Sequence, residues 1–559
     1  MNKDLLDRNL LSLTHSSPDT ANLLSYSDTS QNIKFKHSKS GHQIPCYSKD
    51  GINFKAIHSA FDPVKEGFRL SEQKHFEGML LVFGLGGGFH IRPLLKNREI
   101  TSIIIIENNP EETKSILSNL DLSDIFLDKR VSLWISDKPE DFTMYLLSRY
   151  IPVLSGNLQT LSLRSRVLQD EDFYSSLSDV VKKTIGQITD DYTVQTYFGK
   201  KWFINTLSNL KESEKTTQTL FPIKKAYITA AGPSLEKQLT LLKSKRSDET
   251  IIATDTSLPV LLANNIKPDL VISIDCQHIS YNHFMSGYPE DVPLILDLAS
   301  PSFLTRLAKK TFFFTSDHPF SRYVSKEFRQ FPKIDTSGGN VTHAALSLAD
   351  TLGAEEIKLL GADFSYPMGK PYARSTYIYP YFYSRAKRTS GIEDRIFSFI
   401  MHNKNIEKIR TDNGFRYITK PMIHYKASIE KKAQGCRGRV LGIKGEGVDL
   451  DFPKKKSFRK KEMRIVSAGK SYISCRNFLK TYRKRIADLP EMNCSVSEYL
   501  SSLTFDEKEV WITILPTAAQ YRKTAETGKE ALNSARSWSI DLIDRVLESD
   551  NYSNIVNDI

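Results

Sequence analysis

Five polar or acidic positions in the middle of the chain stand where a parallel sheet would present them to a ligand. The apolar run 226–230 ends in Ala231-Gly232-Pro233-Ser234-Leu235. That is the composition of a strand, a tight turn and a helix start, with Ser234 at or near the N-cap. Such a turn can offer backbone N–H groups and a hydroxyl to a phosphate. Asp255 closes the run 250–254 and Asp275 closes 270–274. Ser337-Gly338-Gly339-Asn340 precedes a helical pattern from Val341 to Leu352, a second helix N-terminus suited to an anion. Asp363 follows the run 356–360 in Gly361-Ala362-Asp363. Singly, each reads as a helix cap. Together, at the carboxyl ends of successive strands, they read as a nucleotide or diphosphate site.

Transfer chemistry at such a site needs a proton acceptor, and Asp363, Tyr372 and His343 are the candidates, with Asp363 preferred. His278 and His283 read as loop or helix-surface residues. Tyr366, Tyr372, Tyr377, Tyr379, Tyr381 and Tyr383 could stack on a base or sugar, or form a packed lid. Asp255, Asp275 and Asp363 could hold Mg²⁺ through one or two carboxylates. Nearer the amino terminus, Gly84-Leu85-Gly86-Gly87-Gly88 follows the run 79–83, and Glu107 ends the run 103–106. This second pocket, Gly84, Gly86, Gly88 and Glu107, would suit S-adenosylmethionine or a nucleotide. The alternative is a Rossmann-like turn kept for packing.

The elements that must position these residues alternate strand and helix twice over. Runs at 226–230, 250–254, 270–274, 293–297, 311–315 and 356–360 are apolar on both parities, as strands covered on two faces must be. The predicted fold is α/β: two Rossmann-like parallel-sheet domains in tandem, followed by a small helical domain. The expected boundaries are a polar, loosely packed lead-in at 1–45, a Rossmann-like N-terminal domain at 46–160, a helical connector at 161–215, a second α/β, nucleotide-binding domain at 216–450, a basic linker at 451–466 and a helical domain at 467–559.

With 559 residues, the chain has length for two or three domains. Its net charge of +12 is uneven: 454–464 carries seven cations and one anion. That run reads as a solvated linker, so nucleic acid is not an expected partner. The five cysteines show no CxxC pair and no zinc-type spacing. No secretory signal is visible, and no stretch approaches the ~20 apolar residues of a membrane span. A reducing cytoplasm is the expected location.

On Ala231-Gly-Pro-Ser-Leu235, Ala253-Thr-Asp-Thr256, Lys267-Pro-Asp-Leu-Val-Ile-Ser-Ile-Asp275, Ser337-Gly-Gly-Asn340 and Gly361-Ala-Asp-Phe-Ser-Tyr366, the chain resembles the motility-associated factor (Maf) glycosyltransferases. These share a domain with the 6-hydroxymethylpterin diphosphokinases of the MptE-like type. The resemblance extends to His58-Ser-Ala-Phe-Asp62-Pro63 with Glu66 and to Val82-Phe-Gly-Leu-Gly86, covering roughly 45–450. It implies transfer of a nonulosonic acid, of the pseudaminic or legionaminic type, from a CMP-sugar donor to Ser or Thr of flagellin. Gly232, Pro233 and Ser234 would cradle the donor phosphate, and Asp255 and Asp275 would face ribose or sugar. Ser337, Gly338, Gly339 and Asn340 would complete the pocket, with Asp363 at its rim. The family's Gly-Gln-Asp-Leu-Ala stands here as Gly-Ala-Asp-Phe-Ser, and its following His-Ala as Tyr372-Ala373. Two other readings remain open: an Mg²⁺-dependent pterin-type diphosphokinase using ATP, and a non-catalytic flagellin chaperone or scaffold. The carboxy-terminal helices and the basic run are expected to serve acceptor recognition or oligomer contacts.

Overall fold

The computed structural model describes residues 3–214, 219–412, 414–453, 466–467 and 469–549; the basic run 454–464 lies outside them. Two compact units emerge, one of Met1–Gly199 with Arg485–Ser539 and one of Lys200–Lys484 with Ile540–Ile559. Both are built on parallel sheets, as the alternating pattern requires.

In the first unit, β1 (Gly78–Phe83), β2 (Ile100–Glu107), β3 (Val131–Ile135) and β4 (Leu158–Ser162) pair in the order β3-β2-β1-β4, all parallel. Every residue of β1 is buried, because both faces are covered. The lead-in expected at 1–45 is instead structured. Its helices α1 (Lys3–Thr14) and α2 (Pro18–Tyr26) bury Leu6, Leu13 and Leu24 in the core of this sheet. Each buried leucine contributes about 1.5–3 kcal/mol. Asn9 fixes the contact, its Nδ2 donating to the Leu117 and Leu120 carbonyls, each at 2.8 Å.

The connector is one long helix, α3 (Glu171–Glu214). The carboxy-terminal residues are helical, as the pattern predicts, and contacts divide them between the two units. Within the first unit, helix Phe505–Tyr521 packs on Pro152–Ser155, and Val496–Ser502 packs on β2. Within the second, Tyr482 stacks on Phe320 at 4.9 Å. Their apolar stripes are spent on the two sheet units.

The second unit's sheet has seven strands: β5 (Lys225–Thr229), β6 (Glu249–Thr254), β7 (Leu270–Ser273), β8 (Leu294–Asp297), β9 (Thr311–Phe314), β10 (Glu356–Leu360) and β11 (Arg439–Gly442). Their order is β9-β8-β7-β6-β5-β10-β11, all parallel. Six match the apolar runs to within a residue; β11, four residues long, had no comparable run. The order reverses between β5 and β10, and at such a switch point an open α/β sheet binds ligands beyond the strands' carboxyl ends. Helices α4 (Leu235–Lys243), α5 (Val341–Thr351) and α6 (Lys420–Gly435) belong to this unit, with α5 packed on β5, β6 and β7 and beside α6. Between β10 and α6, residues 366–419 form an insertion. It contains a three-stranded antiparallel sheet and the helices Ile378–Tyr383 and Ile392–Met401.

Candidate functional site

The two turns flanking the switch point are bonded to each other. The Gly232 N–H donates to the Gly361 carbonyl at 2.9 Å, and the Ser234 N–H donates to Asp363 Oδ2 at 2.8 Å. This close approach is why residue 232 is glycine: a Cβ there would lie 2.8 Å from Asp363 Cγ and nearer still to the Gly361 oxygen. Ser234 has helical backbone angles and does not cap α4 as its position suggests; its Oγ accepts the Glu446 N–H at 2.7 Å. Leu235 N–H closes on the Gly232 carbonyl. The N–H groups at 232, 234 and 235, and the Ser234 hydroxyl, are therefore committed to internal partners and are not presented to a phosphate.

Asp363 is 5% exposed, and burial pushes its carboxyl up against the opposing pull of its bonds to Ser234. It ties the turn, β10 and the loop near Gly447 together, which is a positioning task rather than that of an open base.

Further along the same edge, Asp255 and Asp275 meet. Asp255, 3% exposed, accepts the Ser273 hydroxyl at 2.6 Å and the Thr256 N–H at 2.6 Å. Asp275 accepts the Gln277 N–H at 2.9 Å. Burial and the neighbouring Asp255 charge push Asp275 up. Burial also raises the phenol of Tyr377, and both carboxylates act in the same direction on it. The short helix His278–Phe284 folds His283 back toward this cluster, its ring edge-on to Tyr377 at 4.7 Å. His283 Nδ1 is buried and has no hydrogen-bond partner among the described residues. Tyr372 is raised by burial first and then by Tyr377, Tyr366, Tyr425 and Asp255, which places it among the same groups. The insertion is pinned over the turn by the Ala373 N–H, which donates to the Ala231 carbonyl at 2.8 Å.

The Ser337–Asn340 turn contributes the third group. Asn340 Oδ1 accepts the His343 N–H at 3.0 Å, capping α5 as its position predicts. His343 is 2% exposed, its Nδ1 3.2 Å from the Asp335 carbonyl, and burial lowers its pKa. Ser337 donates its N–H and hydroxyl to Asp335 Oδ1 at 3.0 and 2.6 Å. Burial alone would raise Asp335, but these bonds and Lys432 hold it at about 2. Ser337 and His343 open onto a groove of about 600 Å³ along α6. Gly339 instead faces Tyr425, whose ring carbon stands 3.3 Å from where a Cβ would be. Tyr425 thereby links this turn to the aromatic group around Tyr372. Sequence reasoning overlooked Tyr425, and set His283 aside as a surface residue.

The amino-terminal glycine cluster is filled. Glu107 accepts the Leu85 N–H at 2.7 Å and the Arg166 Nε–H at 3.1 Å. Arg166 also pairs with Glu112 at 3.3 Å and with Asp170. Gly84, at φ +97, turns beneath the Arg166 side chain, and a Cβ at Gly86 would strike His58 and Leu163. The Gly87 N–H donates to His58 Nε2 at 2.8 Å, and His58 Nδ1 lies 3.0 Å from Glu66. A Cβ at Gly88 would overlap Ile125. The residues of this second pocket are thus engaged in packing and internal pairing, the alternative that the sequence left open.

Among the described residues, no cluster of three or more His, Cys, Asp or Glu side chains is arranged to hold a metal ion. Asp255, Asp275 and Asp363 do not make a three-carboxylate set. No helix among them is long and apolar enough to cross a membrane.

Fold and site together define a tandem parallel-sheet α/β protein with an acidic, aromatic-lined site at the second sheet's carboxyl edge. Residues 25–153 match the glycosyltransferase Maf N-terminal domain, and 203–369 match the 6-hydroxymethylpterin diphosphokinase MptE-like family. The chain thus carries a Maf-type amino-terminal domain followed by an MptE-like domain. Three uncharacterised proteins of Treponema pallidum (strain Nichols) are similar to parts of it. They are 32% identical over 167 residues, 35% over 159 and 27% over 192, spanning 29%, 28% and 34% of this chain and 80%, 56% and 42% of theirs. The solved structure of a Maf glycosyltransferase from Magnetospirillum magneticum shares the fold, with a TM-score of 0.55 at 13% identity, over 99% of this chain and 97% of that one.

Proposed function

We propose that the chain is a protein glycosyltransferase that moves a nonulosonic acid from a CMP-activated donor to Ser or Thr of flagellin. The observation that supports this most is the gathering of Asp255, Asp275, His283, Tyr372, Tyr377, Tyr425 and Gly339, far apart in sequence, at one edge of a switch-point sheet. The donor phosphate is assigned to the start of α5, where the Val341 and Thr342 N–H groups have no intrahelical acceptor. Asp255 and Asp275 face ribose or sugar, and the tyrosines stack on the base. His283, whose buried Nδ1 has no hydrogen-bond partner among the described residues, replaces Asp363 as the favoured proton acceptor. The acceptor oxygen bonds to the anomeric carbon, the bond from that carbon to the phosphate oxygen breaks, CMP departs with the electron pair, and the hydroxyl proton passes to His283.

The test is the intact mass of flagellin from a strain lacking this chain. The expected result is loss of a glycan mass that returns with the wild-type chain but not with His283→Gln. An unchanged mass would refute the transferase reading. A second reading, ATP-dependent diphosphoryl transfer, draws on the MptE-like match alone. Mg²⁺-dependent ATP binding with no CMP binding would favour it.

A further inference from the structure

The insertion 366–419 holds ten Lys or Arg against four Asp or Glu, a net +6 out of the chain's +12. The run 454–464 holds the other +6, so the remainder of the chain is balanced. The insertion's cations are not neutralised internally. Among the described residues, every ion pair of the second unit lies outside it.

Its outer surface also carries large apolar side chains. Tyr383 is 65% exposed and Phe397 55%, with Met368 and Tyr381 also exposed. Residues 383–389, Tyr-Ser-Arg-Ala-Lys-Arg-Thr, form one continuous exposed stretch. Arg385 lies over the Tyr381 ring at 4.2 Å and donates to its hydroxyl at 2.6 Å, and Lys408 lies over Phe415 at 4.3 Å. Cations laid on rings and flanked by exposed aromatics suit a surface that loses water against a partner of opposite charge. The other end of the same segment is fixed over the switch point by the bond from Ala373 to Ala231 and supplies Tyr372 and Tyr377 to the site.

We infer that the insertion is the docking surface for the acceptor polypeptide, and that it recognises an acidic protein face carrying apolar residues. This rests on the transferase reading for its purpose, but it can fail separately. Charge complementarity selects the partner class, and attachment to the site places the docked chain's hydroxyl within reach.

The experiment measures binding of fluorescein-labelled poly-L-glutamate to the full chain by anisotropy, with CMP binding measured in parallel by calorimetry. The triple variant Arg385→Glu, Lys387→Glu, Arg388→Glu is compared with Lys454→Glu, Lys455→Glu, Lys456→Glu. The expected result is polyglutamate binding at least about tenfold weaker for the first variant, within about twofold of wild type for the second, and CMP binding unchanged in both. Tyr383→Ala should weaken binding of a glutamate–tyrosine copolymer more than that of polyglutamate. The inference is overturned if only the second variant loses polyglutamate, or if the first loses CMP as well. It is also overturned if the wild type binds single-stranded RNA or phosphatidylserine vesicles more tightly than polyglutamate through these same residues. Absence of CMP binding in the wild type would defeat the donor assignment while leaving the polyglutamate comparison intact.

Discussion

Gly232→Ala is the sharpest single perturbation of the switch point. The added methyl carbon would stand 2.8 Å from Asp363 Cγ and closer to Asp363 Oδ2 and the Gly361 oxygen, where ordinary contact begins at 3.4 Å. Neither neighbour can yield freely. The Gly361 carbonyl accepts the Gly232 N–H, and Asp363 accepts the Ser234 N–H. The turn must therefore separate from β10 by several tenths of an ångström, an overpacking cost of about 1–3 kcal/mol. Because Ala231 holds Ala373, the displacement reaches Tyr372 and Tyr377. CMP affinity should fall at least about tenfold, or 1.4 kcal/mol. Gly186→Ala is the control, since nothing lies within 4 Å of the point where its methyl would stand inside α3, and it should raise stability by about 1 kcal/mol. Calorimetric titration of CMP with thermal melting of each variant reads both effects. A Gly232→Ala chain that binds CMP within twofold of wild type and melts unchanged would refute the reasoning.

Further outcomes follow from the same geometry. His283→Gln should lower kcat by about 10²–10⁴-fold with donor affinity retained; turnover within twofold of wild type would remove His283 from the mechanism. In the first unit, burial pushes Glu112 from its ordinary 4.5 to about 7. A carboxyl raised in the folded state contributes stability below its unfolded pKa and loses it as pH climbs through the folded one. Between about pH 4.5 and 7 the wild type should therefore lose about 3 kcal/mol more than Glu112→Gln in urea titrations; parallel curves would contradict this. Arg166→Met should cost about 3–5 kcal/mol, because it leaves Glu107 buried and Asp170 partly buried without their cation. A nearly neutral change in urea midpoint would show that those carboxylates do not need it.

The sheets were legible because doubly covered parallel strands are written as short unbroken apolar runs; 250–254 and 356–360 coincide with β6 and β10 almost residue for residue. Helices α1 and α2 were not, since Ser, Asn and Asp alternate with the few leucines that carry their packing. The site's positions could be inferred from strand ends, but its roles could not. Whether the N–H groups at 232 and 234 are free depends on Gly361 and Asp363, more than 125 residues away. Likewise, His283 reaches Tyr377 only because a 3₁₀ turn, rather than a 3.6-residue helix, carries it there. Tyr425 enters from α6, beyond the whole insertion, with no local motif to mark it. The carboxy-terminal helices were visible as helices, yet their division between two units depends on partners such as Phe320 and Pro152 that a local pattern does not name.

Photo-cross-linking with 5-azidocytidine monophosphate, followed by peptide mapping, addresses the location of the donor site most directly. Label on peptides containing Asp255 to His283, Ser337 to His343, or Tyr372 to Tyr377, competed away by unmodified CMP, is the result the switch-point site predicts. Label confined to the Gly84–Glu107 region, or undiminished by CMP, would contradict it.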